Sequence, residues 1–141
     1  MKLRTMLKSK IHRATVTEAN LEYMGSITLP RRLMAMTDIV PGEQILVVDN
    51  TNGERLWTYA IEGDDKTAIC MNGAAAHKIG VGDQVIIMAF SLTDEAISSK
   101  NILVDRKNRF VKYFDYVDEE QTNCMLRERP KEEATRKEVT D

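Results

Sequence analysis

Short stretches rich in apolar and β-branched residues, several of them alternating with polar ones, recur along the chain between clusters of turn-forming residues. This pattern favours strands over long helices. The predicted strands are 6–17, 26–29, 44–48, 55–61, 67–71, 84–91, 101–104 and 110–114. Pro30 suits the first turn of a short helix over 31–36, and 73–77 is predicted to form a short helix or tight turn. The pattern therefore predicts an all-β fold with short helices.

The strongest local signal is the turn sequence Asn-Thr-Asn-Gly at 50–53. Asn-Gly pairs favour positive φ at both central residues of a tight turn. The flanking segments 44–48 and 55–61 are therefore predicted to form a β-hairpin.

An internal repeat shapes the fold prediction. Residues 39–47 match residues 79–87 over nine positions, as Ile, two variable residues, Gly, an acid, Gln and three aliphatic residues. A Gly-acid pair before a strand is a common turn, but a match of this length favours a true duplication over chance. Two copies of one unit predict pseudo-two-fold symmetry, and six to seven strands around such an axis favour a closed barrel, which removes exposed edges.

Composition places the chain among soluble globular proteins. It has 141 residues, 43% hydrophobic and 30% charged, with a formal net charge of −2, which gives no support for a nucleic-acid or anionic-membrane partner. The charged residues of the N-terminal segment exclude a signal peptide there, so a cytoplasmic protein is expected. From residue 118 the sequence is mostly charged, which predicts a domain over 1–117 and a disordered tail over 118–141.

The two cysteines, Cys70 and Cys124, lack metal-ligand spacing and are interpreted as reduced thiols, with a disulfide between them as the less favoured alternative. Phosphate-binding, dinucleotide-binding and metal motifs are missing from the sequence. What remains is a basic first strand, the segment 55–59 and the small-residue corner 72–76, which together support an anionic small-molecule site and no more. Taken singly, these residues are more often structural: lysines on strands are usually solvated and a lone histidine usually has no catalytic role.

Four sequence blocks in register sharpen this interpretation. They are Arg-Thr-Met-Leu-Lys-Ser-Lys-Ile-His-Arg at 4–13, Gly25-Ser26 preceded by Tyr23, Thr-Asn-Gly-x-Arg-x-x-Thr-Tyr-Ala at 51–60, and Asn-Gly-Ala-Ala-Ala-His at 72–77. Together they resemble the aspartate 1-decarboxylase family over about residues 3 to 115. The resemblance implies a double-psi β-barrel and a carbon–carbon lyase that converts L-aspartate to β-alanine and carbon dioxide, a step in pantothenate and coenzyme A supply.

The resemblance also implies that the chain is a proenzyme. The hydroxyl of Ser26 would attack the carbonyl of Gly25, and elimination and hydrolysis would leave a pyruvoyl group at residue 26, with Thr58 assisting the cleavage. Such an attack needs a positioned hydroxyl and a stabilised oxyanion, and Gly25 is expected to allow a backbone geometry that a Cβ would forbid.

In the mature enzyme, the resemblance implies that the pyruvoyl group forms a Schiff base with the substrate, with no metal and no pyridoxal phosphate. Tyr59 would donate the proton, and Lys10 and Arg55 would bind carboxylates. The remaining implied contacts are Asn72, Gly73, Ala74 and Ala75 for the cofactor and substrate carbonyls, and His12 and Tyr23 as lining residues.

The same resemblance implies a homotetramer with sites between subunits, and for some members a helper protein for maturation. Two alternatives stay open. One is a catalytically silent homologue that is never processed, and the other is a non-enzymatic DNA-binding β-barrel module, against which the acidic charge balance argues.

Overall fold

The computed structural model describes residues 1–64 and 67–115, and most of its regular structure is β-strand. The strands are β1 Arg4–Thr15, β2 Glu18–Asn20, β3 Ser26–Pro30, β4 Gln44–Asp49, β5 Arg55–Gly63, β6 Cys70–Asn72, β7 Gln84–Thr93, β8 Lys100–Val104 and β9 Phe110–Phe114. One α-helix, α1, spans Arg31–Thr37, and a 3₁₀ helix spans Gly73–His77. The predicted all-β class is confirmed, but the described residues form nine strands rather than six to seven. The predicted tail 118–141, with Cys124, lies outside the described residues, and the domain boundary at 117 stays a prediction.

All nine strands share one sheet in the order β2-β6-β3-β5-β4-β7-β1-β8-β9. The sheet is mixed, and five of its strands, β1, β3, β5, β6 and β8, each have one parallel and one antiparallel neighbour. Among them, β3 lies between β5 and β6, and β1 lies between β8 and β7. Inward-facing aliphatic residues of these strands and of the connecting segments pack into one hydrophobic core, which includes Ile11, Ile27, Ile45, Met71 and Ile87. The double-psi arrangement of the barrel stays a prediction.

The internal repeat predicted over 39–47 and 79–87 is confirmed by strand pairing. Val47 and Ile87 hold the same position in the two copies, and they lie directly opposite each other in the antiparallel pair β4–β7. The residue pairs on either side of this one are exchanged with each other when the two copies of the repeat are exchanged. A local two-fold axis therefore passes between Val47 and Ile87.

The turns before β4 and β7 obey the same symmetry. Gly42 and Gly82 have φ values of 87° and 90°, in the left-handed region that favours glycine. The Gly42 amide donates to the Ala60 carbonyl, and the Gly82 amide donates to the Val16 carbonyl, both at 2.8 Å. Each turn therefore joins its copy of the repeat to another strand or strand end in the same way.

The predicted β4–β5 hairpin is confirmed, but its turn differs from the expected one. Gly53 has a positive φ of 78°, whereas Asn52 does not, so the expectation of positive φ at both residues is wrong. The physical reason is a side-chain cap: Asp49 Oδ1 accepts hydrogen bonds from the amides of Thr51, at 2.7 Å, and Asn52, at 3.2 Å. This cap stabilises a longer turn closed by the Gly53 amide donating to the Asp49 carbonyl at 2.9 Å.

The short strand β2, which lies outside all the strands predicted from the sequence, follows β1 and pairs in parallel with β6. Its three side chains are all exposed, so the hydrophobic pattern carried no sign of a strand. This pairing brings the loop that follows, residues 21–25, alongside the end of β6.

Candidate functional site

The candidate site is built on the antiparallel pair β3–β6. Ser26 lies opposite Asn72 and Thr28 lies opposite Cys70. Because side chains alternate along a strand, these four side chains share one face of the pair. The residue between them on β3, Ile27, is fully buried in the hydrophobic core. The core side therefore fixes the register, and the polar side carries the candidate chemistry.

Asn72 ties the polar side chains together. Its Nδ2 donates to Ser26 Oγ at 3.0 Å and to Thr28 Oγ1 at 2.9 Å, and its Oδ1 accepts from the Cys70 thiol at 3.1 Å. Ser26 is fully buried and Asn72 is 2% exposed. Both hydrogens and the oxygen of this buried amide therefore have partners, as a buried amide requires.

The Ser26 hydroxyl donates to the Met24 carbonyl at 3.0 Å while it accepts from Asn72. Both partners are neutral, and they hold Ser26 Oγ beside the peptide bond that links Gly25 to Ser26. The serine hydroxyl is thus oriented within the loop whose cleavage the sequence predicts.

Gly73 lets the loop approach the end of β6 closely. Its φ is 65°, and a Cβ built on it would lie 2.8 Å from both N and Cα of Gly25 and 2.9 Å from the Tyr23 carbonyl oxygen. A side chain there would push the loop away. At Gly25, in contrast, a Cβ would meet nothing within 4 Å and φ is not in the left-handed region. The expectation that Gly25 itself requires glycine for its backbone geometry is therefore wrong for this structure, and the requirement falls on Gly73.

An open depression of about 400 Å³ lies beside Gly25. It contains four further residues singled out from the sequence: Thr58, Tyr59, Ala74 and Ala75. Its other lining residues are Leu56, Trp57 and Lys78. Parallel pairing of β5 with β3 places Thr58 and Tyr59 there, because the next residue along, Ala60, lies opposite Ile27. Tyr59 is 37% exposed, so its hydroxyl group belongs to an accessible wall of the depression.

The structure places Lys10 and His12 in another region. Both lie on β1, and three strands, β5, β4 and β7, separate β1 from β3 in the sheet. Lys10 is registered with Met88 on one side and Asn101 on the other, and burial lowers the pKa of its ammonium group. The His12 ring packs edge-on against Phe114 at 5.9 Å. Within one chain, these two residues do not line the depression beside Gly25.

Arg55 and Tyr23 also lie outside this depression. Arg55 is exposed at the start of β5, opposite Val48. Tyr23 lines a second open depression of about 360 Å³ with Asn72 and Cys70. The predicted residues therefore fall into a group around Ser26 and a group that the single chain holds apart from it.

Sequence reasoning missed several residues of the Ser26 group. Thr28 and Cys70 contact Asn72, and Lys78 supplies a cation to the depression, 3.5 Å from a Glu54 carboxylate oxygen. One signal could have identified the first two. Polar residues alternate at 26 and 28 and again at 70 and 72, which is the spacing of one face of a strand.

Two classes of site find no support in the part of the chain that the structure describes. Within residues 1–64 and 67–115, no cluster of three or more His, Cys, Asp or Glu side chains could hold a metal ion. Over the same residues, no helix is long and apolar enough to cross a membrane.

Comparisons with known proteins agree on one group. A family model described as aspartate decarboxylase matches residues 1–111. The chain is 54% identical over 114 residues to the aspartate 1-decarboxylase of Desulfitobacterium hafniense, an alignment covering 77% of this chain and 90% of that protein. It is 49% identical over 117 residues to the aspartate 1-decarboxylase of Clostridium botulinum, covering 79% and 92% respectively. The corresponding protein of Listeria monocytogenes is 48% identical over 110 residues, covering 74% and 87%.

Proposed function

The chain belongs to the aspartate decarboxylase family, and on that premise we propose that it converts L-aspartate to β-alanine and carbon dioxide with a pyruvoyl group made from its own Ser26. The product is a precursor for pantothenate and coenzyme A. The observation that supports this most directly is the buried Ser26 hydroxyl, held by Asn72 next to the Gly25–Ser26 bond and beside an open depression.

This arrangement supports the self-cleavage step of the proposal. Ser26 Oγ bonds to the Gly25 carbonyl carbon, and the peptide nitrogen leaves as the amine of residue 26, so that an ester replaces the amide. Loss of the Ser26 α-proton then expels the Gly25 carboxylate, and water replaces the nitrogen of residue 26, releasing ammonia. In the intact chain, Asn72 donates a hydrogen bond to Ser26 Oγ, and the Met24 carbonyl accepts a hydrogen bond from the Ser26 hydroxyl. Thr58 acts from the depression beside Gly25.

The surroundings of residue 26 fit a pyruvoyl group. Asn72 Nδ2 offers a neutral donor to an oxygen at this position, and Gly73 leaves room that a Cβ would fill. When present, a pyruvoyl group supplies a carbonyl that combines with an amine and withdraws electrons, as pyridoxal phosphate does in other decarboxylases. Neither a metal nor pyridoxal phosphate is needed in this proposal.

Tyr59, Ala74 and Ala75 form the substrate side of the site. Tyr59 is placed on the depression wall with its phenol accessible, where it can return a proton to the substrate carbon after carbon dioxide leaves. The backbone of Gly73 to Ala75 turns through the 3₁₀ helix at the same wall and offers amides to a carboxylate or carbonyl oxygen.

Lys10 and Arg55 are proposed to bind the carboxylates of aspartate, with His12 and Tyr23 at the margin of the site. Because Lys10 and His12 lie away from Ser26 in one chain, a complete site needs a second copy, and we propose a homotetramer. Trp57 supports this proposal, because it lies on the depression wall with 57% of its surface exposed and its ring 6.0 Å from that of Phe90. An exposed tryptophan beside a half-buried phenylalanine is typical of a protein interface.

A shared site can be tested by complementation. Lys10→Ala and Ser26→Ala subunits should each be inactive alone. When the two are co-expressed, hetero-oligomers should regain part of the activity, because some sites then combine an intact Lys10 with an intact Ser26. Failure to regain activity, with mixed oligomers demonstrated by mass, would place both residues of a site in one chain.

Two further parts of the proposal concern the setting. A buried reduced thiol at Cys70 is in keeping with a reducing compartment, and we place the enzyme in the cytoplasm. A helper protein for maturation is compatible with a Ser26 hydroxyl that donates to Met24 rather than to a base. Cleavage of purified precursor without any addition would remove the need for a helper.

The deciding experiment is an intact-mass spectrum of purified protein under denaturing conditions. We expect one fragment ending at Gly25 and a second beginning at residue 26, lighter by one ammonia than a peptide that starts with serine. The Ser26→Ala variant should stay full-length and should not decarboxylate aspartate. Normal decarboxylation by that variant would refute the pyruvoyl mechanism.

The same spectrum separates the alternatives. A wild-type chain that stays full-length after prolonged heating, and is inactive, would indicate a catalytically silent homologue or a precursor that needs a helper protein, rather than a slow precursor. The relatives named as decarboxylases favour the enzyme over a DNA-binding module.

A further inference from the structure

A thiol stands at the start of the hydrogen-bond chain that ends at the scissile loop. The Cys70 thiol donates to Asn72 Oδ1, Asn72 Nδ2 donates to Ser26 Oγ, and the Ser26 hydroxyl donates to the Met24 carbonyl. The three donor–acceptor distances are 3.1, 3.0 and 3.0 Å. Every donor in this series of hydrogen bonds points toward the loop, and hydrogen bonds arranged in series strengthen one another.

The orientation of the Asn72 amide decides whether this chain exists. With its oxygen toward Cys70, the amide presents both hydrogens to the hydroxyls of Ser26 and Thr28. Rotated by half a turn, it would present its oxygen to Ser26 Oγ, whose hydrogen is already directed at Met24. A donor at position 70 stabilises the first orientation, because it meets the amide oxygen and not the amide nitrogen.

We propose that Cys70 is a positioning residue for self-cleavage: its S–H group holds the Asn72 amide in the orientation that fixes Ser26 Oγ beside the scissile bond. This proposal rests on the proposed function for the step that it affects. It assigns Cys70 no contact with substrate.

The surroundings of Cys70 keep the thiol in its donor form. Burial, and after it the Glu18 carboxylate on β2, raises the pKa of Cys70, so the sulfur carries its proton at neutral pH. The other acceptor near the sulfur, the Met71 carbonyl oxygen, is 3.8 Å away, farther than Asn72 Oδ1. The S–H group therefore has its shorter contact with the amide.

Three substitutions separate positioning from packing. Cys70→Ser keeps a donor in a smaller side chain, Cys70→Val keeps the volume without a donor, and Cys70→Ala removes both. Fresh precursor of each is made by cell-free translation, and the appearance of the fragment ending at Gly25 is followed by mass spectrometry. We expect Cys70→Val and Cys70→Ala to cleave about threefold to tenfold more slowly than wild type. Cys70→Ser should cleave close to the wild-type rate.

A packing role predicts the opposite order of cleavage rates: Cys70→Val would cleave close to the wild-type rate, and Cys70→Ser would cleave as slowly as Cys70→Ala. That result would overturn the proposal. Equal cleavage rates for wild type, Cys70→Val and Cys70→Ala would overturn the proposal as well.

A second measurement does not depend on cleavage. The infrared S–H stretching band is recorded for a Ser26→Ala, Cys124→Ser chain, in which Cys70 is the remaining thiol. We expect a band shifted to lower frequency by hydrogen bonding, and we expect Asn72→Ala to return it toward the frequency of an unbonded thiol. An S–H band whose frequency is unchanged by Asn72→Ala would overturn the proposal, even if the wild-type chain never cleaves. A wild-type chain that never cleaves, with the expected band shift, would count against unassisted self-cleavage and leave the Cys70–Asn72 bond established.

Discussion

Two buried asparagines, Asn72 and Asn108, have the same side chain but hydrogen-bond to different kinds of partner. Asn108 is 1% exposed, and its amide bonds only to backbone: Oδ1 accepts from the Thr15 amide at 2.7 Å, and Nδ2 donates to the carbonyls of Thr15 and Thr67, both at 2.8 Å. Asn72 is 2% exposed, and its amide bonds only to side chains. Both amides are fully partnered, so satisfaction of buried polar groups does not distinguish them.

The difference lies in what each asparagine holds still. Asn108 has a φ of 59°, and its amide joins the end of β1 to the loop that holds Thr67 by hydrogen bonds to backbone groups. Asn72 has extended backbone, with φ −113° and ψ 145°, and its amide fixes a hydroxyl that can react. A buried asparagine that bonds to backbone is thus expected to serve stability, and one that bonds to side chains of a strand pair is expected to serve chemistry.

The largest effect is expected at Gly73, which follows Asn72. In Gly73→Ala, the Cβ would lie 2.8 Å from the backbone of Gly25, so the scissile loop must move. We expect cleavage to slow by about a hundredfold or more, since misplacement of reacting atoms by about 1 Å has that effect. The measurement is the rate of fragment formation by mass spectrometry.

Gly53→Ala is the matched control for Gly73→Ala. Its φ of 78° carries similar strain, but its Cβ would meet nothing within 4 Å. Cleavage by this variant should stay near the wild-type rate. Equal slowing in the two variants would show that strain, and not the approach to Gly25, controls the reaction.

The next effect in size concerns Asn108. Asn108→Ala leaves three backbone groups without their partner and places alanine at a positive φ, so we expect the free energy of unfolding to fall by about 3 kcal/mol. Denaturant unfolding in a Ser26→Ala background measures this without interference from cleavage. In the otherwise wild-type chain, folded Asn108→Ala should still cleave at the wild-type rate, whereas Asn50→Ala, at an exposed turn, should change neither property.

Asn72→Ala should have the opposite effects to Asn108→Ala: a large effect on the cleavage rate and a small effect on the free energy of unfolding. Ser26 loses the donor that fixes Oγ, and we expect cleavage to slow about tenfold to a hundredfold. The free energy of unfolding in the Ser26→Ala background should fall by only about 1 kcal/mol, because the remaining side chains can relax around the deleted amide. If Asn72→Ala destabilises the fold as much as Asn108→Ala and cleaves normally, then Asn72 is a structural residue.

The smallest effect is expected at Asp49, which also binds backbone amides but can ionise. Burial raises the pKa of Asp49, and a hydrogen bond that the protonated Asp49 donates to the neighbouring Asp83 carboxylate raises it further. Because the folded-state pKa lies above the unfolded value, this group lowers the free energy of unfolding as pH rises through that interval, and the loss is complete above the folded-state pKa.

Asp49→Asn keeps an oxygen for the amides of Thr51 and Asn52 and removes the ionisation. We therefore expect the stability of Asp49→Asn relative to wild type to increase from about pH 3 to about pH 7. Thermal unfolding of both proteins in the Ser26→Ala background checks this. A constant difference across that range would mean that Asp49 has an ordinary pKa in the folded protein.

Local patterns in the sequence predicted much of the fold. The strands, the hairpin at 50–53 and the repeat over 39–47 and 79–87 each depend on residues close together in the chain. The strand β2 was missed because its three exposed side chains carry no hydrophobic signal. The turn at Asn52 was mispredicted because a cap by Asp49 outweighs the preference of the Asn-Gly pair.

The site was predicted in part. Ser26, Asn72, Tyr59 and Thr58 were identified through resemblance to a family, while Cys70 and Thr28 were overlooked, although polar residues alternate at these positions. The reason is that a polar residue on a strand identifies a face but not the residue opposite. Which side chains meet depends on strand register, which is set by packing of the core residues behind them.

The sequence alone determined most of the strand segments and the duplication, because these follow from patterns along the chain, and it identified the residues able to react through resemblance to a family. Only the tertiary structure decided that Asn72 bonds to Ser26 and that Gly73 approaches Gly25 to within contact distance, since each pair is joined by strand pairing over more than forty residues. It also decided that three strands of the sheet separate Lys10 on β1 from Ser26 on β3. The physical reason is that hydrogen-bonded register and core packing, both non-local, place each side chain relative to the others.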